Sequence, residues 1–285
     1  MKLLALLGVG YVGVAGLLYF AQTWLLFPGA GRPSQRLDHA RAHERLVLPS
    51  GDRRSELHGL LFSTPAEDAE LLIGFGGNGQ DAESLAHDLA RDFPDQQVAV
   101  FHYRGYGPST GTPSQAALLA DAVTIYDALT ERERPRRCFA IGISLGSAVA
   151  AYLSKARPLA GILLVTPFDS IAAIAKETYF WLPVDLLLRH RFATVEFMAD
   201  NATPVAVIAA DRDRVVRPER TRALVEELSN LVSYQMLTDA AHNTLYQLPN
   251  FEQALDAAFA ALRSAADRSA TGAQAPAVTV RRTEQ

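Results

Sequence analysis

Hydrophobic and polar positions divide this chain into three regimes. From Leu3 to Phe27 no Asp, Glu, Lys, Arg or His occurs. From about 43 to 266, short apolar or β-branched runs alternate with longer amphipathic ones, and from 267 to 285 an Ala/Ser/Thr/Gly-rich stretch with Arg281-Arg282 reads as a flexible tail. As a helix, the 25 residues of the first regime would reach about 37 Å, enough to cross a hydrocarbon core of about 30 Å. Tyr19, Trp24 and Phe27 gather near its end, where aromatic rings favour a membrane interface, and Pro28-Gly29 stops it. Residues 1–27 therefore read as an uncleaved membrane anchor, followed by a linker over 28–42. A cleaved signal peptide with Gly29-Ala30-Gly31 as its processing site is the alternative, but its apolar stretch would exceed the usual length of about 7 to 15 residues. Lys2 on one side competes with Arg32, Arg36 and Arg41 on the other, so the charge count does not set which side the body faces.

The middle regime predicts strands at roughly 44–48, 56–62, 70–75, 97–102, 137–142, 160–165, 204–210 and 232–237. Helices are expected at roughly 81–92, 115–130, 145–155, 217–229 and 250–265. The first two strands are close enough for a hairpin, and the later ones alternate with helices. That order describes an α/β domain over 43–266, with an eight-stranded, mostly parallel sheet covered by helices. Residues 168–200 break the rhythm with an apolar stretch too long for a simple connection, and are expected to form a small helical cap.

Composition narrows the chemistry. The 285 residues carry a net charge of −4, which provides no cationic field for nucleic acid. The lone Cys138 cannot form an internal disulfide, and no Cys/His spacing suggests a metal site. Two stretches match the spacing G-x-G-x-x-G: Gly8 to Gly13, inside the apolar run, and Gly74 to Gly79 behind Leu71-Leu-Ile. A nicotinamide cofactor would need a ribose partner about 20 residues further on. The chain has His102-Tyr103-Arg104 there, with no acid for the 2′-hydroxyl and only Arg104 for a 2′-phosphate. No cofactor is therefore expected.

A second motif is stronger in its context. Gly142-Ile-Ser-Leu-Gly146 follows the apolar run Cys138-Phe-Ala-Ile and opens an Ala/Leu-rich stretch, the strand, sharp turn and helix of a nucleophile elbow. A serine hydroxyl needs a base within hydrogen-bond reach, and the base needs a third group to hold its tautomer. Behind later strands stand Asp211-Arg-Asp-Arg-Val-Val and Thr238-Asp-Ala-Ala-His-Asn-Thr. The set Ser144, Asp213 and His242 follows the chain order of that arrangement. His242 is favoured over the other six histidines, which lie in the linker, on expected strands or helices, or near the cap. Asp211 stays open as an alternative acid, because it directly follows its strand and suits a turn cap, whereas Asp213 lies two residues further out. Asp169 and Asp239 read as turn residues.

Taken together, "FGGNG" at 75–79, "YRGYGPSTGTPS" at 103–114, "GISLGSAVA" at 142–150, "TPFDSI" at 166–171, "LPVDLLLRHRF" at 182–192, "DRDRVV" at 211–216 and "HNTL" at 242–245 resemble the α/β-hydrolase superfamily. The resemblance is to its membrane-anchored, lysophospholipase- and depalmitoylase-like, serine aminopeptidase-type branch, and it covers most of residues 1–265. It implies an α/β-hydrolase fold and a serine hydrolase of acyl esters or thioesters, acting on lysophospholipid or acylated protein. A serine aminopeptidase-like peptidase on the same triad and a non-catalytic membrane-tethered scaffold are the alternatives. Backbone N–H groups of Asn78 and Leu145 are the expected oxyanion donors. Gly76-Gly77 stands where the branch commonly has a His-Gly pair, so the backbone donors are kept and the imidazole is lost. Tyr179, Phe180, Trp181 and Phe192, with Phe197, either line an acyl pocket or form the cap's own core, and Arg104 either binds an anionic substrate group or makes a structural salt link.

Overall fold

The computed structural model describes residues 2–34, 37, 42–64, 69–271 and 280–283. The eight expected strands are β1 (His43–Pro49), β2 (Glu56–Phe62), β3 (Leu71–Phe75), β4 (Gln97–Phe101), β5 (Cys138–Ile143), β6 (Gly161–Val165), β7 (Val205–Ala210) and β8 (Leu231–Leu237). They form one sheet in the order β1-β2-β4-β3-β5-β6-β7-β8. β1 and β2 make the antiparallel hairpin, β2 runs antiparallel to β4, and every later pairing is parallel.

The middle strands are buried along their whole length, as in β5 and β7, because helices cover both faces of a parallel sheet. One face carries α2 (Ala82–Asp92) and α9 (Phe251–Thr271), packed through Leu85, Leu89, Phe259 and Leu262. The other carries α3 (Gln115–Glu133), α4 (Leu145–Ala156) and α8 (Pro218–Glu226), packed through Leu118, Ala122, Leu153 and Leu224. Side chains of β3 alternate between the two, Leu72 to the first and Leu71, Ile73 and Phe75 to the second, following the period of two of a strand. Several helix starts are legible in the sequence: the side chains of Asp81 and Ser114 accept from the N–H groups of Ser84 and Ala117 and so satisfy donors that a first turn leaves unpaired.

Residues 168–200 form the cap as α5 (Ile171–Thr178), α6 (Val184–Leu187) and α7 (Thr194–Met198). Two expectations need correction. The stretch after 267 is not simply a tail: α9 continues to Thr271, and Val280–Thr283 adds a ninth strand, β9, parallel to β8 at the sheet edge. Ala265, Ala266 and Ala270 favour continuation of the helix, and an edge strand supplies the ladder partners that a short β-branched segment needs. The start of the 28–42 linker is also docked: Gly31 N–H donates to the Gly105 carbonyl at 2.7 Å, Ala30 bridges to Tyr106, and Ser34 Oγ donates to Asp81 at 2.5 Å.

The first helix, α1 (Lys2–Leu26), is long and apolar enough to cross a membrane, and no residue of it is fully buried. Phe27, expected at a membrane interface, is instead a core residue, fully buried with its ring edge-on to His190 and Phe192. Its register, one residue past the helix, turns it into the domain.

Candidate active site

The centre of the site is the turn between β5 and α4. Ser144 sits there at φ 50°, ψ −112°, a conformation that costs a non-glycine residue of order 1–3 kcal/mol and is held only by its surroundings. Those surroundings are built by the flanking glycines. A Cβ on Gly142 would run into the Gly146 carbonyl, and one on Gly146 into the Phe75 carbonyl. The close approach of two backbone segments thus dictates both ends of the G-x-S-x-G motif. The Ser144 N–H is tied to the Val165 carbonyl at 2.9 Å, so the hydroxyl is the part left pointing outward.

Two loops from the same end of the sheet complete a hydrogen-bond chain. The loop after β8 places His242 Nε2 3.1 Å from Ser144 Oγ, and the loop after β7 places Asp213 Oδ2 2.6 Å from His242 Nδ1. Asp213 is buried and its other oxygen, Oδ1, accepts from Val215 and Val216 N–H, each at 2.8 Å. An ionised carboxylate only accepts, so Nδ1 carries a proton and Nε2 turns its lone pair to the serine. Asp211, the alternative acid, accepts from Ala240 N–H at 3.1 Å and ties the two loops together away from the imidazole. Asp169 pairs with Arg220 at 2.9 Å and Asp239 with Arg212, both outside the hydrogen-bond chain.

Across from Ser144 runs the loop after β3, and five of its backbone groups are held by named partners. Gly77 N–H donates to Gln80 Oε1 at 3.0 Å, and the Gly77 carbonyl accepts from Gln80 N–H at 3.2 Å. Tyr103 and Tyr106 hydroxyls donate to the carbonyls of Gly76 (2.8 Å) and Asn78 (2.6 Å). Burial pushes both phenols well above their ordinary range, so they stay protonated donors. Because a trans peptide sets its N–H opposite its carbonyl, fixing the Gly77 carbonyl on Gln80 turns the Asn78 N–H away from that turn. Among the described residues, the Asn78 N–H has no hydrogen-bond acceptor. Leu145 is the first residue of α4, where an N–H has no partner within the helix.

Gln80, Tyr103 and Tyr106 were not singled out from the sequence as residues that shape this loop; the only signal was "YRGYG" placed beside it. Arg104 from the same motif is turned away, bound through two bonds of 2.7 Å to Asp121 and one of 2.9 Å to Asp52. It makes the structural salt link.

A cavity of about 330 Å³ opens beside the serine. Ser144, Leu145 and Asn78 are at one end, and its walls include Phe168, Ile174 and Leu182. Of the cap aromatics expected there, only Tyr179 lines it. Phe192 is fully buried in the core beside Phe27, and Phe180 and Trp181 are exposed on the outside of the cap. Phe197 packs edge-on against Tyr152. The correction has a simple cause: α5 ends at Thr178, so consecutive aromatics after it point in different directions. Among the described residues, no group of three or more His, Cys, Asp or Glu side chains gathers as a metal site.

The comparisons with known proteins agree with this architecture. The family model described as "Serine aminopeptidase, S33" matches residues 66–192. An uncharacterized protein of Mycobacterium tuberculosis is 30% identical over 248 residues, 85% of this chain and 88% of its own length. Protein bem46 of Schizosaccharomyces pombe is 28% identical over 71% of this chain and 73% of its own. The lysophosphatidylserine lipase ABHD12 of Danio rerio is 31% identical over 42% of this chain and 36% of its own. Among solved structures, an esterase of Pyrococcus furiosus superposes with a TM-score of 0.66 at 17% identity, over 82% of this chain and 97% of its own. Sequence relatives along most of the chain, the matched family model and the shared fold converge: the chain belongs to the α/β-hydrolase superfamily, in its serine aminopeptidase-type branch.

Proposed function

We propose that this protein is a membrane-anchored serine hydrolase that cleaves acyl esters or thioesters through an acyl-enzyme on Ser144, with α1 as the anchor. The observation that carries the reading is the unbroken chain Asp213–His242–Ser144 at the end of an apolar cavity. Ser144 Oγ attacks the acyl carbonyl while His242 Nε2 takes its proton. Asp213 stabilises the imidazolium without accepting that proton. His242 then protonates the leaving alcohol or thiol, and a water activated by the same nitrogen hydrolyses the acyl-enzyme. The charge that develops on the carbonyl oxygen meets the N–H groups of Asn78 and Leu145, already aimed and costing no reorganisation. Loss of one such donor costs about 2.7–4 kcal/mol of transition-state stabilisation.

The lining of the cavity favours an acyl group over a peptide. A peptidase that selects a free α-amino group needs a carboxylate to receive it, and among the described residues no Asp or Glu lines the cavity. A scaffold without catalysis would have no use for Ser144 in a strained conformation facing an aligned imidazole. The relatives include a lysophosphatidylserine lipase, which is consistent with a lysophospholipid or acylated-protein substrate for this chain. Labelling of the purified protein by a fluorophosphonate is the test. The expected result is labelling of wild type and none of Ser144→Ala; equal labelling of both, or none of wild type beside a reactive control hydrolase, would overturn the reading.

A further inference from the structure

α1 touches the domain along a single stripe. Ala15, Leu18, Tyr19, Gln22 and Leu26 are half-buried at helical spacing, while Leu17, Phe20 and Trp24 remain exposed on the other side. The contact is specific as well as apolar. Gln22, one of the few polar residues in this helix, spends both ends of its amide on the cap: Nε2 donates to the Leu187 carbonyl at 3.1 Å, and Oε1 accepts from Arg189 N–H at 2.7 Å. Thr23 Oγ1 lies 2.9 Å from His190 Nε2. Higher up, the Tyr11 hydroxyl donates to the Trp181 carbonyl at 3.1 Å, with the two rings edge-on.

This docking places α1 inside the site. Leu18, Tyr19, Gln22, Leu25 and Leu26 line the same cavity as Ser144, facing the cap across it. Tyr11 lies about 14 Å along the helix from Lys2, so a helix that crosses a hydrocarbon core of about 30 Å carries the touching cap edge below the headgroups. That edge is suited to lipid. Phe180 and Leu186 are each 83% exposed and Trp181 is 43% exposed, while the neighbouring charges are paired, Asp185 with Lys176 at 2.8 Å and with Arg191 at 3.0 Å.

Resting on the serine-hydrolase reading above, we propose that α1 is a wall of the acyl-binding site as well as an anchor, and that the cap edge Phe180–Trp181–Leu186 inserts into the leaflet beside it. The substrate is then a bilayer-resident amphiphile whose single acyl chain slides between α1 and the cap to present its ester or thioester carbonyl to Ser144. A 330 Å³ cavity holds one chain in an apolar lining, and each buried methylene raises kcat/KM roughly fourfold until the cavity is full.

Two measurements on the full-length protein test this. In the first, p-nitrophenyl acetate and dodecanoate are compared in detergent micelles for wild type, Leu18→Trp and Leu17→Trp. The expected result is a dodecanoate-to-acetate ratio of kcat/KM at least about tenfold lower in Leu18→Trp, where indole fills the space of about two or more methylenes, and unchanged in Leu17→Trp, one position around the helix. An unchanged ratio in both, or an equal fall in both, would overturn the wall. In the second, Trp24→Phe leaves Trp181 as the single tryptophan, and the protein is placed in phosphatidylcholine vesicles with brominated acyl chains. Quenching of Trp181 relative to unbrominated vesicles is expected; unquenched emission would overturn insertion of the cap edge. Fluorophosphonate labelling of the same preparations separates the two levels. Ser144-dependent labelling with an unchanged ratio removes the wall and leaves the hydrolase, whereas absent labelling removes the hydrolase itself.

Discussion

Two buried ion pairs in this fold differ in what they leave free. Arg104 and Asp121 face each other across two bonds of 2.7 Å, and Asp52 takes a further guanidinium nitrogen at 2.9 Å. Those bonds, first of all the ones to Asp121, hold the guanidinium above its ordinary range. Asp52 is held below the usual carboxylate range, chiefly by the Ser50 hydroxyl and then by Arg104. The guanidinium is spent on the two carboxylates, and the set locks the loop after β4 onto α3. His242 and Asp213 are joined as tightly, at 2.6 Å, yet one imidazole nitrogen is kept for Ser144 at 3.1 Å. Closure makes the first pair structural. The nitrogen left over in the second faces Ser144.

Substitutions that remove one function but not the other sharpen the contrast. Asp213→Asn keeps the volume and the acceptor for Val215 and Val216 N–H but allows the wrong imidazole tautomer. The expected outcome is a fall in kcat of about 10⁴-fold with cooperative unfolding intact, measured on a short-chain ester beside a denaturant curve. A fall of less than about tenfold would mean that the carboxylate merely packs. Asp121→Ala should do the reverse. It strands a buried guanidinium, and since Asp52 still reaches one nitrogen, the loss belongs near the lower end of the usual range, about 3 kcal/mol. A urea midpoint that falls with unchanged m-value is the expected reading; an unchanged midpoint would show the pair to be dispensable.

Of the two pairs, only the one at Ser144 could be traced in full from the sequence. Ser144, Asp213 and His242 were legible because each follows a strongly apolar strand, and strand ends in a parallel sheet converge on one side. Their spacing along the chain reports the third dimension. Gly142 and Gly146 were legible for the same reason, since only a close backbone approach explains them. The partner of Arg104 was not, because Asp121 lies on a helix whose acidic positions look alike until the helix is docked. α1 failed in a different way: apolar on every side, it carries no stripe from which a docking face is read, and its polar pair, Gln22 and Thr23, looks tolerable anywhere in such a helix. The cap aromatics went astray for a related reason. Hydrophobicity says that Phe180, Trp181 and Phe192 avoid water, but core, cavity and lipid satisfy that demand equally.

The junction of α1 with the cap has a third arrangement, neither closed like Arg104 nor open like His242. His190 Nδ1 accepts from Gln115 N–H at 3.4 Å and Nε2 lies 2.9 Å from Thr23 Oγ1. Because Nδ1 accepts, the ring is neutral and Nε2 carries the proton to the threonine. Burial, and then the charge of Arg189, push the His190 pKa below its ordinary value. In the unfolded chain a histidine titrates near about 6.5, so over the interval below that value the unfolded state binds more protons, and stability rises with pH there. The contribution of neutral His190 is thus complete above about pH 6.5 and is lost as pH falls through the depressed folded value, when protonation of Nδ1 turns an acceptor against the Gln115 N–H. The expected effect is the smallest of the three: a drop in Tm of a few degrees between neutral and mildly acidic buffer that shrinks in His190→Asn, whose side-chain oxygen still accepts from Gln115. An identical pH dependence in the two proteins would place the acid sensitivity elsewhere, and would leave the junction as closed to protons as the Arg104 cluster.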